Sequence, residues 1–184
     1  MFRPASLCLL VCLAACKPPA SQEYSARGAV AEGPTAPSPP IDSPDVEGAA
    51  WAVSAASDRL LYGKPGERPL FSLGCEDGTL IYTRYVAADQ EAKAVLALIG
   101  NGHVERLWID AEKQGEGDDA PWLWRGRIAA NDERLEVLTG PRRVEATVPG
   151  AGTLVFNPST TPADYIARCA ALIAPPPAPP EDPV

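Results

Sequence analysis

The sequence predicts a mainly β protein, a small antiparallel barrel or sandwich with one C-terminal helix. Three observations predict it. Apolar and polar residues alternate with a period of two along several short runs, Asn101-Gly102 separates two of those runs, and one stretch after Thr161-Pro162 changes to helical spacing. Many short strands with turn signals at close intervals and a single helix point to a closed or two-layered antiparallel sheet rather than to helix-covered parallel strands.

Taken in order, strands are expected from Trp51 to Ala55, Arg59 to Tyr62, Leu70 to Cys75 and Thr79 to Val86. Two more, from Lys93 to Ile99 and from Val104 to Ala111, flank Asn101-Gly102, a dipeptide that accepts the positive φ angles of a two-residue hairpin turn. The alternation is clearest in Trp122, Trp124, Gly126 and Ile128, which share one face, against Leu123, Arg125, Arg127 and Ala129 on the other. Arginines on one face mean a sheet wetted on that side. Leu135 and Val137 flank an outward Glu136 and read as another strand, and Val144, Ala146 and Val148 alternate with Arg143, Glu145 and Thr147. The helix is expected to begin with Thr161 as cap, Pro162 in the first turn and Asp164 at its positive end. Ile166, Cys169, Ala170 and Ile173 then recur on one stripe.

These elements occupy residues 49–173, a length suited to one domain with one core. Residues 1–15 read as an export signal, with Arg3 as the positive region, a short apolar run and a small-residue cleavage site. That run is too short for a transmembrane helix, which needs roughly 20 apolar residues. Residues 16–48 are rich in Pro, Ala, Ser and Gly and are expected to be a disordered tether, since they carry too little apolar surface to offset the entropy of ordering. Residues 174–184 are expected to be a Pro-rich disordered tail.

Leu13-Ala14-Ala15-Cys16 resembles the lipobox of bacterial lipoproteins. The resemblance implies that Cys16 is acylated and becomes the first residue of the mature protein, so the membrane is the expected partner of the chain through its lipid. Of the five cysteines, Cys8 and Cys12 leave with the signal and Cys16 takes lipid. Cys75 and Cys169 remain, and in an oxidising compartment they are expected to pair; the alternative is two separate buried thiols.

Charge narrows the partners. The formal net charge is −8 at pH 7, and loss of Arg3 with the signal makes it −9. Nucleic acid is therefore excluded as a partner, because phosphate binding rests on clustered Lys and Arg and the only adjacent basic pair is Arg142-Arg143. The same charge disfavours flat docking on anionic lipid, leaving the anchor to hold the protein at the membrane.

No catalytic set, metal site or cofactor site is expected. The one histidine, His103, follows the Asn-Gly turn and reads as solvated, and no Gly-x-Ser-x-Gly motif presents a nucleophile. Asp110, Glu112, Glu116, Asp118 and Asp119 are hard oxygen ligands of the type calcium takes, but their spacing matches no calcium loop, so they read as a solvated acidic connection. Trp51, Trp108, Trp122 and Trp124 either pack in the core or form a stacking platform, and core packing is the expectation.

Cys75-Glu76-Asp77-Gly78, Leu96-Ala97-Leu98-Ile99-Gly100 and Trp124-Arg125-Gly126 together resemble the layout of membrane-bound lysozyme inhibitors of the C-type class. That resemblance implies a small lipid-anchored β-barrel with an internal disulfide. The family's Ser-Gly-x-x-Tyr motif is absent from this sequence, so no inhibitory residue carries over. The chain also resembles uncharacterised cysteine-paired lipoproteins of Gram-negative envelopes. The expected function is thus a non-enzymatic, lipid-anchored envelope protein that displays a binding or structural domain to a periplasmic protein partner. The alternatives are an inhibitor of a cell-wall hydrolase and a carboxylate-dependent envelope hydrolase, the last requiring two acids in one cleft.

Overall fold

Strands β1 (Ala50–Val53), β2 (Arg59–Gly63), β3 (Phe71–Glu76) and β4 (Thr79–Ala87) follow one another as antiparallel hairpins. A long hairpin, β5 (Lys93–Gly100) and β6 (His103–Lys113), then precedes β7 (Trp122–Ala129), which pairs with both β4 and β6. β8 (Val144–Thr147) joins the far side of β5, and β9 (Thr153–Phe156) pairs with β8. The result is one nine-stranded antiparallel sheet in the order β1-β2-β3-β4-β7-β6-β5-β8-β9, curled into a nearly closed barrel. This is a computed structural model, and it describes residues 38–173. The signal, Cys16, most of the tether and the tail at 174–184 lie outside the described residues. No helix among the described residues is long and apolar enough to cross a membrane.

The mainly β class with a C-terminal helix is what the alternation predicts. The Asn101-Gly102 hairpin forms as expected, with Gly100 paired to His103 and φ of 51° at Asn101 and 91° at Gly102. Inward positions then build the core: Leu60 and Tyr62 on β2, Phe71 and Leu73 on β3, Leu96 and Leu98 on β5, and Leu107 and Ile109 on β6 are at most 1% exposed. Each such side chain contributes about 1.5–3 kcal/mol on leaving water. Trp51, Tyr62, Phe71 and Phe156 form an aromatic cluster with ring centroids 4.9–6.2 Å apart.

The end bearing the β1–β2, β3–β4 and β5–β6 turns is sealed by helices. A 3-10 turn (Glu133–Leu135) runs into the one-turn helix α1 (Glu136–Thr139), which buries Val137 and Leu138. The expected strand at Leu135 and Val137 is therefore a helical turn. Asp132 caps it by accepting the Arg134 N–H, and Leu138 shows why the alternation stops: it is as buried as Val137. Asn101 locks this segment to the hairpin, donating to the Val137 carbonyl and accepting from the Arg142 N–H, both at 2.9 Å.

The C-terminal helix α2 (Thr161–Ala170) forms with its start shifted by one residue. Thr160, not Thr161, occupies the cap position, and the Ser159 hydroxyl accepts the Thr161 N–H at 3.1 Å. Its buried stripe is Pro162, Tyr165, Ile166 and Cys169. A disulfide joins Cys169 to Cys75 in β3, with Cα atoms 5.7 Å apart, and so ties the helix to the sheet across 94 residues of sequence.

Residues 38–48 belong to the stretch expected as tether, yet they run along the barrel as a strap. The Ile41 N–H donates to the Gly150 carbonyl at 2.8 Å, the Ser43 hydroxyl accepts the Thr153 N–H at 2.9 Å, and Asp45 pairs with Lys64 at 2.6 Å. β9, which has no counterpart among the expected strands, meets the strap at its first residue through the Ser43 bond to Thr153.

Candidate functional site

The five acids singled out in sequence do not converge. Asp110 and Glu112 lie on the outer face of β6, where Asp110 stands opposite Arg125 of β7. Glu112 holds Arg127 through a short hydrogen bond and approaches Arg125 at 3.7 Å, and Glu76 reaches Arg125 from the other side at 3.9 Å. The outward arginines of the alternating β7 run thus sit in a surface ion-pair network, of a kind that contributes little to stability. Glu116, Asp118 and Asp119 are exposed in the β6–β7 connection, closed by the Gln114 N–H on the Pro121 carbonyl at 2.8 Å. Among the described residues no group of three or more His, Cys, Asp or Glu side chains is placed to hold a metal ion.

Carboxylate hydrolysis would need an acid held protonated near neutral pH. Among the described residues the carboxyls whose pKa moves are lowered: Asp45 by the hydrogen bond from Lys64, Asp89 by that from Ser38, and Asp132 by that from Arg134. His103 is half-exposed at the start of β6, with Nε2 3.8 Å from Glu136.

The tryptophans divide. Trp124 points inward and is buried, Trp51 packs on the aromatic cluster, and Trp122 is half-buried. Trp108 departs from the expectation of core packing, being 74% exposed. The reason is register: Leu107, Ile109 and Ala111 fill the core, so Trp108 must face outward. It shares the outer face of the β5–β6 hairpin with Val104, 57% exposed, and Ile99, 49% exposed, which stand opposite each other. Arg106 of β6 and Glu145 of β8 lie beside them on the same face.

Two interior polar groups escape the sequence reading. Tyr82 lies over Gly126 of β7, where a methyl group would collide with its ring, and its hydroxyl donates to the Trp108 carbonyl just where β6 and β7 cease to pair. Burial pushes that phenol up to about 12. Arg84 is 3% exposed, on the same inward face as Leu80 and Tyr82, and donates to the Leu70 carbonyl at 2.9 Å. Burial lowers its pKa to about 10, which still leaves it charged at neutral pH. No carboxylate pairs with it among the described residues.

The barrel end opposite the helices holds a cleft of about 370 Å³. Trp124, Ala87, Ala88, Ala92 and Ala94 line it from the sheet side, and Ile41 of the strap closes it from outside. The strap is fastened there by Ser38, whose N–H and hydroxyl both bind the Asp89 carboxylate, at 3.1 and 2.5 Å. No family model, curated protein or solved structure matches the chain.

Proposed function

We propose that the chain is an envelope lipoprotein, anchored through Cys16, whose barrel is a non-enzymatic binding module that docks a periplasmic protein on the outer face of β5 and β6. The observation that carries this reading is Trp108. An indole 74% exposed, on the same outer face as the exposed Val104 and Ile99, leaves apolar surface in water, and exposed apolar surface of this kind marks contact sites. Along this face Arg106 stands between Trp108 and the Ile99–Val104 pair, and Glu145 flanks Ile99, so aromatic, charged and aliphatic side chains alternate as they do on protein interfaces rich in Trp and Arg. The lipobox resemblance and the Pro-rich tether support display at a membrane surface, where confinement raises the effective concentration of the partner.

A photo-crosslinking residue placed at Val104 in living cells tests it. A discrete adduct is expected that disappears with Trp108→Ser, while the same probe at Arg68, in the β2–β3 connection, yields none. An adduct unaffected by Trp108→Ser, or none at Val104, contradicts the reading.

A further inference from the structure

The tip of the β5–β6 hairpin carries the chemistry of a self-modification, independent of the outer face of those strands. In an Asn-Gly pair the glycine backbone nitrogen can attack the asparagine side-chain carbon, and glycine has no side chain to hinder the approach. Gly102 is exposed, a methyl group on it would meet nothing within 4 Å, and its N–H has no hydrogen-bond partner among the described residues. The nucleophile is therefore open to water and base.

The electrophile, by contrast, is clamped. Asn101 Nδ2 donates to the Val137 carbonyl and Oδ1 accepts the Arg142 N–H, both at 2.9 Å, so the amide is held at both ends. Gly140, just past α1, completes the clamp: a methyl group on its Cα would collide with Cγ and Oδ1 of Asn101. The backbone of Asn101 is held as well, at φ 51° in the hairpin turn. Ring closure on the Gly102 nitrogen takes Asn101 out of that turn conformation and its amide out of the clamp.

We infer that Asn101 is a deamidation site gated by α1, where the chain converts its own asparagine when the clamp of Val137, Gly140 and Arg142 opens. The Gly102 N–H loses its proton to base, its nitrogen bonds to Cγ, the Cγ–Nδ2 bond breaks, and ammonia leaves with a proton returned to it. The product is a cyclic imide. One water then opens either imide carbonyl to give aspartate or isoaspartate, so the net change is loss of ammonia and gain of water. A carboxylate here cannot donate to the Val137 carbonyl and sets its charge against that oxygen. Isoaspartate also adds one backbone carbon to a two-residue turn whose length fixes the hairpin. The conversion is irreversible and unfastens α1 from the hairpin.

The test incubates the purified whole chain in warm, mildly alkaline buffer and follows aspartate and isoaspartate at position 101 by peptide mapping. Product is expected there in the folded wild type, at a rate at least about tenfold below that in concentrated urea, because the folded amide must first give up two hydrogen bonds. Gly140→Ala, which pushes a methyl group into the clamp and leaves the turn residues unchanged, should bring the folded rate toward that in urea. Asn101→Asp, which carries the charge of the product, should lower the urea midpoint of the fold. Absence of product at position 101 in the folded wild type overturns the inference, as does a folded rate equal to that in urea, which removes the gate. So does a folded Gly140→Ala chain no faster than wild type, or an Asn101→Asp chain as stable as wild type, which removes the unfastening of α1.

Discussion

The Tyr62 hydroxyl stands between two backbone groups of the last strand region, donating to the Val155 carbonyl and accepting from the Asn157 N–H, both at 2.9 Å. A side chain from β2 thus supplies β9 with the bonds that a further strand would otherwise make. The Asn157 amide completes the seam by donating to the Val46 and Ala49 carbonyls at 3.0 and 2.8 Å. Closure of the barrel therefore rests on side chains where the backbone ladder ends, and an edge that would invite pairing with another chain is satisfied within the fold.

Tyr62→Phe keeps the ring in the aromatic cluster and removes only the oxygen. Both Val155 and Asn157 then lose their partner in a part-buried seam, and about 1–3 kcal/mol of stability should go with it. Urea denaturation should show a lower midpoint with an unchanged slope. A midpoint equal to wild type would mean that water replaces the hydroxyl at no cost and that the seam is held elsewhere.

The Cys75–Cys169 disulfide spans 94 residues, a loop long enough that the chain-entropy argument assigns it about 4–5 kcal/mol. Cys75→Ser should lower the melting temperature by several degrees and free Cys169, since losses of about 2–5 kcal/mol are typical beside a total of about 5–15. Peptide mapping without reductant should show one linked pair in the wild-type chain. Two alkylated cysteines there would contradict the staple.

The fastening of the strap should depend on pH. Asp89 has its pKa lowered, first by the hydrogen bond from the Ser38 hydroxyl and then by that from the Ser38 N–H. A carboxyl depressed in the folded state contributes above its ordinary value, about 3.9, and the contribution is lost as pH falls through the lowered one. The strap should therefore loosen only below about pH 4. Hydrogen exchange at the Ile41 amide, which bonds to Gly150, should accelerate in that window in the wild type and be fast and pH-independent, apart from intrinsic exchange, in Asp89→Asn. Equal protection in both would show that Ser38 and Asp89 do not hold the strap.

Much of this fold is legible in the sequence, because residues whose neighbours alternate strictly have only one face to bury. Val144, Ala146 and Val148 all point inward as their pattern demands, and Asn101-Gly102 turns where its positive φ angles permit. Leu135-Glu136-Val137 misleads because three residues fit a strand and a helical turn alike, and Leu138 settles it only once its burial is seen. Leu123, on the face the alternation assigns to water, is buried as well. The strap was illegible for another reason: proline and serine composition signals a tether, whereas the partners of Ser38, Ser43 and Asp45 come from residues 19–110 positions away. Trp108 shows the reverse error, in which residue type suggested the core and the alternation of Leu107 and Ile109 already placed it outside.

Whether lipid on Cys16 holds this barrel at a membrane, as proposed, is decided by metabolic labelling with a palmitate analogue. Several acyl chains at about 0.8 kcal/mol per buried methylene anchor firmly, where one alone binds only marginally. The wild-type chain should take up label and partition into detergent, and Cys16→Ala should do neither while keeping the Cys75–Cys169 bridge. Label retained by Cys16→Ala, or a wild-type chain that remains unlabelled and water-soluble, would rule out a lipid anchor at Cys16.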